Sequence, residues 1–177
     1  MSKDNMKTLV AFYSRTGNTR KVAEELSKLM RCDHEEIVDA NNRNGIIGYF
    51  RGGRDAMKKN LTIINTPKKK PGKYELIIIG TPVWAGRMTP AIRTYIEKHK
   101  QDFDKLAFFC TMGGSGGDKT MEEMAFITGR RPKAKMEFLT REIVREEHHD
   151  KLNEFAGKLA GMKAKAKVAK SKKAKKR

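Results

Sequence analysis

The sequence predicts an α/β protein built on a doubly wound parallel sheet in a single domain, and three observations predict it. Apolar stretches alternate with amphipathic ones along the chain, and strands alternating with helices imply a parallel sheet with right-handed crossovers. Leu76-Ile77-Ile78-Ile79 and Ala107-Phe108-Phe109-Cys110 are continuous apolar runs, as strands covered on both faces require. Three strand ends then open into loops of small and hydroxyl-bearing residues, and ligands of doubly wound sheets bind outside those carboxyl ends.

The elements follow in order. A strand at 7–13 precedes a helix at 18–31, whose Val22, Leu26 and Leu29 recur at helical spacing. A short strand over Glu35–Val38 comes next, then an irregular segment from Asn41 to Pro71. Within it, RNGIIGYFRGGRDAMKK at 43–59 reads as an amphipathic crossover covering the sheet. Ile46, Ile47, Phe50 and Met57 line one face, with Arg43, Arg51, Arg54, Lys58 and Lys59 elsewhere. Gly48, Gly52 and Gly53 each weaken such a helix by about 1 kcal/mol relative to alanine, so a lid over a ligand or a homodimer contact are the alternatives. A strand at 75–80 leads to a helix at 89–100, started by Thr89 ahead of Pro90. A strand at 105–111, a helix at 118–130, a strand at 134–140 and a helix at 148–161 complete the order. The last helix buries Leu152, Phe155, Ala156 and Leu159 on one face.

The loop YSRTGNT at 13–19 joins the first strand to the first helix and has the makings of an anion site. N–H groups of a helix's first turn have no internal partners, and the helix dipole favours negative charge beside them. Ser14, Thr16 and Thr19 add hydroxyls, Asn18 an amide, and Gly17 lets the backbone approach closely. No nucleotide-triphosphatase lysine and no magnesium-holding acid is present, so the loop suits a monophosphate ester gripped by neutral donors. The alternative is a Ser/Thr-rich turn capping an ordinary helix. TPVWAGRMTP at 81–90 follows the third strand, and TMGGSGG at 111–117 follows the fourth.

With these three loops in this order, the chain resembles the flavodoxin family over roughly residues 6–160. The resemblance implies a five-stranded sheet in the order 2-1-3-4-5 and bound FMN. It puts the FMN phosphate on Ser14, Thr16, Gly17, Asn18 and Thr19, with Arg15 at a variable position offering a charge-assisted contact. The flavin ring would meet Thr81, Pro82, Val83, Trp84, Ala85 and Gly86 of the second loop, with Trp84 stacked on it. Its pyrimidine end would meet Thr111, Met112, Gly113, Gly114, Ser115 and Gly116, where a glycine-rich turn can aim several amides inward. Ala85 and Gly86 stand where the family has a peptide that can flip. The third loop lacks the aromatic of many flavodoxins, which leaves one flavin face open or covered by Tyr49 or Phe50. The implied function is an FMN-dependent electron carrier. A flavin-dependent NAD(P)H reductase of a quinone or similar acceptor is the second reading, and a scaffold or nucleic-acid-binding protein on the same fold the third.

Other chemistries fit less well. GGSGGDKT at 113–120 nearly spells a nucleotide-binding P-loop, but Asp118 stands where the second glycine belongs. A phosphoacceptor receiver domain would need acids where Tyr13-Ser14 and Gly80 stand. His148-His149 reads as a solvated helix start whose side chains point apart, giving no metal site. Cys32 and Cys110 show no metal or redox spacing, and Cys110 reads as a buried small hydrophobe. No run reaches membrane-spanning length, and MSKDNMKTLV has charges where a signal peptide is apolar, so the expected compartment is the cytoplasm.

Charge is the second clue. Lysine and arginine number 39 against 21 acids, a formal +18. Nine of those bases fall in Lys163–Arg177, which contains no acid, leaving +9 on residues 1–162. The tail is expected to be disordered, with the folded domain confined to 1–162. Flavodoxins serving basic redox partners are commonly acidic, whereas this balance implies an acidic redox partner protein, or contact of the tail with nucleic acid or an anionic membrane surface.

Overall fold

The structure, a computed structural model, describes residues 6–43 and 45–174, with side chains described as far as 161. Five strands carry the sheet: β1 (Thr8–Phe12), β2 (Asp33–Glu36), β3 (Leu76–Pro82), β4 (Lys105–Met112) and β5 (Lys135–Leu139). They lie in the order β2-β1-β3-β4-β5 with every neighbouring pair parallel, as the resemblance implied. Helices α1 (Asn18–Met30), α2 (Gly45–Met57), α3 (Pro90–His99), α4 (Gly117–Thr128), α5 (Thr140–Val144) and α6 (His149–Ala174) connect and follow them. Among the described residues no helix is long and apolar enough to cross a membrane.

Alternation along β1 shows why the sheet is covered twice. Leu9, Ala11 and Tyr13 join Ile77, Ile79, Ile92, Tyr95 and Phe108 in the core beneath α3 and α4. Val10 and Phe12 join Val22, Leu26, Ile78, Phe109, Phe138 and Phe155 beneath α1 and α6. Successive strand side chains point to opposite faces, so a strand apolar at every position needs a layer on each side. Thr89 caps α3 as its position before Pro90 predicts, accepting the Ile92 N–H at 3.4 Å.

Four elements depart from expectation. β2 runs over Asp33–Glu36 instead of Glu35–Val38, because an edge strand needs no apolar row; Ile37 turns into the core just beyond it. The short α5 lies in what reads as a connection, its first turn held by Glu142, which accepts the Leu139 N–H at 3.1 Å. The segment 41–71 contains a full helix, α2, and its orientation reverses the expected one. Gly48, Gly52 and Ala56 face the body, while Ile46, Ile47, Phe50 and Met57 face outward. A Cβ on Gly52 would lie 2.5 Å from Cζ3 of Trp84, and one on Gly48 would collide with the Arg43 backbone, so only small residues let this helix seat.

Arg43 fixes that seat. Its Nε donates to Asp39 Oδ2 at 3.0 Å and its Nη1 to Asp55 Oδ2 at 2.6 Å, and Thr62 Oγ1 donates to Asp39 Oδ1 at 2.8 Å. The fourth departure is His148, which lies one residue before α6 and is fully buried, with Nε2 2.7 Å from Glu25 Oε2. Its ring stacks on His149 at 4.5 Å because only one of the pair is within the helix, so the two do not point apart. Glu25, Glu146 and the two histidines thus gather at one point, where Lys21 pairs with Glu146. α6 continues to Ala174, past the expected end at 161 and into the Lys163–Arg177 segment expected to be disordered, whose side chains and last three residues lie outside the described residues.

Candidate functional site

The three sequence-predicted loops leave the carboxyl ends of β1, β3 and β4, which are adjacent in the sheet, and they meet there. Tyr13 N–H donates to the Gly80 carbonyl at 3.2 Å, tying the first loop to β3, and Val83 N–H donates to the Thr111 carbonyl at 2.9 Å, tying the second to β4. Gly116 comes so close to the second loop that a Cβ on it would lie 3.1 Å from Gly86 Cα and 3.3 Å from Val83 Cγ1.

In the first loop, Gly17 adopts φ +93° and ends the approach to α1 without any side-chain cap. The first intrahelical bond there is Lys21 N–H to the Gly17 carbonyl, so the amides of Asn18, Thr19 and Arg20 precede the helix's own ladder. Ser14 Oγ accepts the Gly17 N–H at 3.1 Å, which fixes the hydroxyl at the mouth and leaves its proton to donate. Thr16 is exposed, and Asn18 donates weakly to its hydroxyl at 3.4 Å. Arg15 places its guanidinium 4.9 Å over the Tyr49 ring of α2. The hydroxyl of Thr19 is not at the mouth. It is buried, 2.7 Å from the hydroxyl of Thr111, so this pair braces α1 against β4 and Thr19 presents its backbone to the loop.

The second loop is a tight reversal. Trp84 N–H donates to the Arg87 carbonyl at 2.9 Å and Arg87 N–H to the Trp84 carbonyl at 3.0 Å, with Ala85 at φ +48° and Gly86 at φ +71° between them. Two central residues with positive φ are the hallmark of a type I′ turn, and a non-glycine residue there carries strain. Thr81 closes the base of the loop, accepting the Thr89 N–H at 3.2 Å. Pro82 and Val83 are half-buried on the way to the turn.

Trp84 corrects the sequence reading. It is 9% exposed, meets Tyr13 edge-on at 5.6 Å, and lies against Gly52 of α2. Its indole is part of the core and the seat of α2. The exposed residue of this turn is Ala85. Burial, helped by the Asp39 charge, pushes the Tyr13 phenol up to about 12, so it stays neutral beneath the loop.

In the third loop Thr111 and Met112 are buried, while Gly113, Gly114 and Ser115 are exposed and Gly116, at φ +94°, opens α4 without a side-chain cap. Two uncapped helix starts, after β1 and β4, therefore stand on either side of the strained turn that follows β3. Cys110, beneath it, has its thiol pushed up to about 12 by burial, so it is neutral at physiological pH.

Three loops leave adjacent strand ends of a sheet in the order β2-β1-β3-β4-β5, two of them opening uncapped helices, and residues 7–154 match the flavodoxin family model. The chain belongs to the flavodoxin family. Similar solved structures include a flavoprotein from Lactobacillus acidophilus in complex with FMN, 22% identical with a TM-score of 0.67, covering 79% of this chain and 97% of that one. A Bacteroides eggerthii chain proposed to be a flavoprotein is 26% identical with a TM-score of 0.64, covering 76% and 87%. Oxidised flavodoxin 2 from Bacillus cereus is 16% identical with a TM-score of 0.54, covering 88% and 99%. No curated protein sequence matches the chain.

One further cluster adjoins the second loop and escapes sequence reasoning. Arg87 of the second loop and Arg93 of α3 converge on Oε1 of Glu123 in α4, at 3.3 and 2.9 Å, with Lys59 at 3.5 Å. Burial alone would raise the Glu123 carboxyl, but the Arg93 guanidinium, with Arg87 and Lys59, holds it below its usual range. The pair clamps the strained turn to α4. Nothing in the local pattern marks Glu123, one of two adjacent glutamates on an amphipathic helix.

Proposed function

We propose that this flavodoxin-family chain binds FMN in the cleft between its three loops and works as an electron carrier. One observation carries the reading: an uncapped helix start, with a serine hydroxyl that accepts the Gly17 N–H and keeps its own proton to donate, lies at adjacent strand ends beside a loop of exposed glycines. The residues present fit the group. Ser14, Thr16 and the amides of Asn18, Thr19 and Arg20 form a neutral donor set suited to a phosphate dianion, and the helix dipole adds to it. The amides of Gly113, Gly114, Ser115 and Gly116 suit the electron-rich pyrimidine edge of a flavin. FMN so held would supply one- and two-electron transfer, the protein contributing binding and electrostatics. The FMN complex of the Lactobacillus acidophilus neighbour supports the choice of flavin.

Ala85 and the glycines of the third loop put no aromatic over the cleft, and Trp84 is engaged in the core. That openness favours a second reading, in which NAD(P)H and a quinone-like acceptor reach the flavin in turn. For the carrier, the +9 on residues 1–162 favours an acidic redox partner. Adding FMN to the purified chain tests both readings: binding quenches flavin fluorescence, and undiminished fluorescence at saturating protein refutes them together. If FMN binds, turnover of a quinone with NADH or NADPH marks the reductase, and its absence the carrier.

A further inference from the structure

We propose that the outward face of α2 is a docking surface for an anionic lipid bilayer. The face is apolar where the fold gives it no cover. Ile46, Ile47, Phe50 and Met57 are 77%, 70%, 69% and 61% exposed, four large exposed apolar side chains on one helix. They cannot turn inward, because the opposite side of the helix is occupied by Gly48 against Arg43 and Gly52 against Trp84, and the Arg43–Asp55 pair holds that rotation. The fold therefore presents these side chains outward as a fixed, convex ridge. A convex apolar ridge one helix wide suits shallow burial at the boundary of headgroups and acyl chains.

Charge identifies the surface. Arg51, Arg54 and Lys58 rise on the same helix and its C-terminal turn, and among the described residues none of them makes an ion pair. The one acid of the helix, Asp55, is engaged by Arg43. Long basic side chains can lay their stems along an apolar face and reach headgroup phosphates with their ends. Stable attachment takes an apolar contact together with a basic field, and residues 1–162 supply +9. A second copy docked face to face would set Arg51, Arg54 and Lys58 against their own kind with no exposed acid of α2 to offset them. The proposal stands whether or not the cleft holds FMN.

Flotation of the full chain with large vesicles tests it, comparing pure phosphatidylcholine with phosphatidylcholine carrying phosphatidylserine. Binding is expected on the anionic vesicles and to be far weaker on the neutral ones. Ile46→Ser with Phe50→Ser should lower partitioning by about 10-fold or more per side chain, leaving its salt dependence intact. Arg51→Gln with Arg54→Gln and Lys58→Gln should lower it by about 100-fold, at roughly 5-fold per base, and flatten the salt dependence. All five positions are exposed, and circular dichroism of each variant confirms an intact fold. Equal binding by the wild type and the Ile46→Ser, Phe50→Ser variant would overturn the proposal, since charge elsewhere would then suffice. So would no binding to anionic vesicles, or a solution dimer that this variant dissolves, which would give the face to a second copy.

Discussion

The adjacent glycines of α2 offer a test of its reversed seating. Gly53→Ala meets nothing within 4 Å, so it should raise stability by about 0.5–1 kcal/mol, the ordinary helical gain of alanine over glycine. Gly52→Ala carries the same intrinsic gain but puts its methyl 2.5 Å from Cζ3 and 2.9 Å from Cε3 of Trp84. The indole has no room to yield, being buried and backed by Tyr13 at 5.6 Å, so α2 itself must lift. Overpacking of this kind costs about 1–3 kcal/mol, and the two single variants should differ by about that amount in opposite directions. Urea unfolding followed by far-ultraviolet circular dichroism gives both values. Trp84 is the sole tryptophan, so its emission should shift to the red in Gly52→Ala and stay unchanged in Gly53→Ala. If both alanines stabilise alike, α2 does not sit on Trp84, and the apolar residues of the helix face inward after all.

Three further outcomes follow from the site. Ser14→Ala should weaken FMN by about 10- to 150-fold, from about 1.5–3 kcal/mol for a hydrogen bond to a charged group, and barely affect riboflavin; equal losses in calorimetric titrations would put the phosphate elsewhere. Trp84→Ala should cost about 3–5 kcal/mol of folding stability through the cavity it leaves, and a loss below about 1 kcal/mol by urea unfolding would return the ring to a flavin-stacking role. Glu123→Gln should cost about 3–5 kcal/mol at pH 7, because it leaves the buried Arg93 without its counter-charge. The Arg93 guanidinium holds the folded Glu123 carboxyl below its unfolded value, so its contribution is fully present above the unfolded value and is lost as pH falls through the folded one. The melting temperatures of wild type and Glu123→Gln should therefore converge as pH falls through the acid range, and curves that stay parallel throughout it would contradict the clamp.

The sheet was legible because its central strands are buried on both faces, and burial of that kind leaves an unbroken apolar run such as Leu76–Ile79. The three loops were legible in composition, since small and hydroxyl-bearing residues such as Ser14, Gly17 and Gly113–Gly116 mark strand ends that leave the apolar sheet. What escaped was everything decided by contacts distant in sequence. Thr19 and Thr111 share a hydrogen bond across 92 positions, and a local reading assigns the Thr19 hydroxyl to a ligand. β2 slipped by two residues because Ile37 and Val38 are apolar, while the pairing edge itself is polar. Trp84 reads as a loop residue until Gly52 is known to lie against it.

The reversal of α2 has the most to say about how this chain works. An apolar stripe on a helix ordinarily marks the buried side, and the inference fails here because the body offers a flat seat, the Trp84 ring and the Arg43 backbone, that admits only glycine and alanine. Trp84 itself begins the strained turn through its backbone bonds to Arg87 while its indole seats α2, and Tyr49 reaches the first loop through Arg15. Cleft and outward apolar face are therefore two sides of one assembly, joined through a single buried ring. A helix that packs by small residues forgoes the burial of its large ones, roughly 1.5–3 kcal/mol for each side chain left in water. Such a sequence persists in a folded chain only if the rest of the core makes up the difference, as the two fully buried layers on either side of β1, β3 and β4 do here.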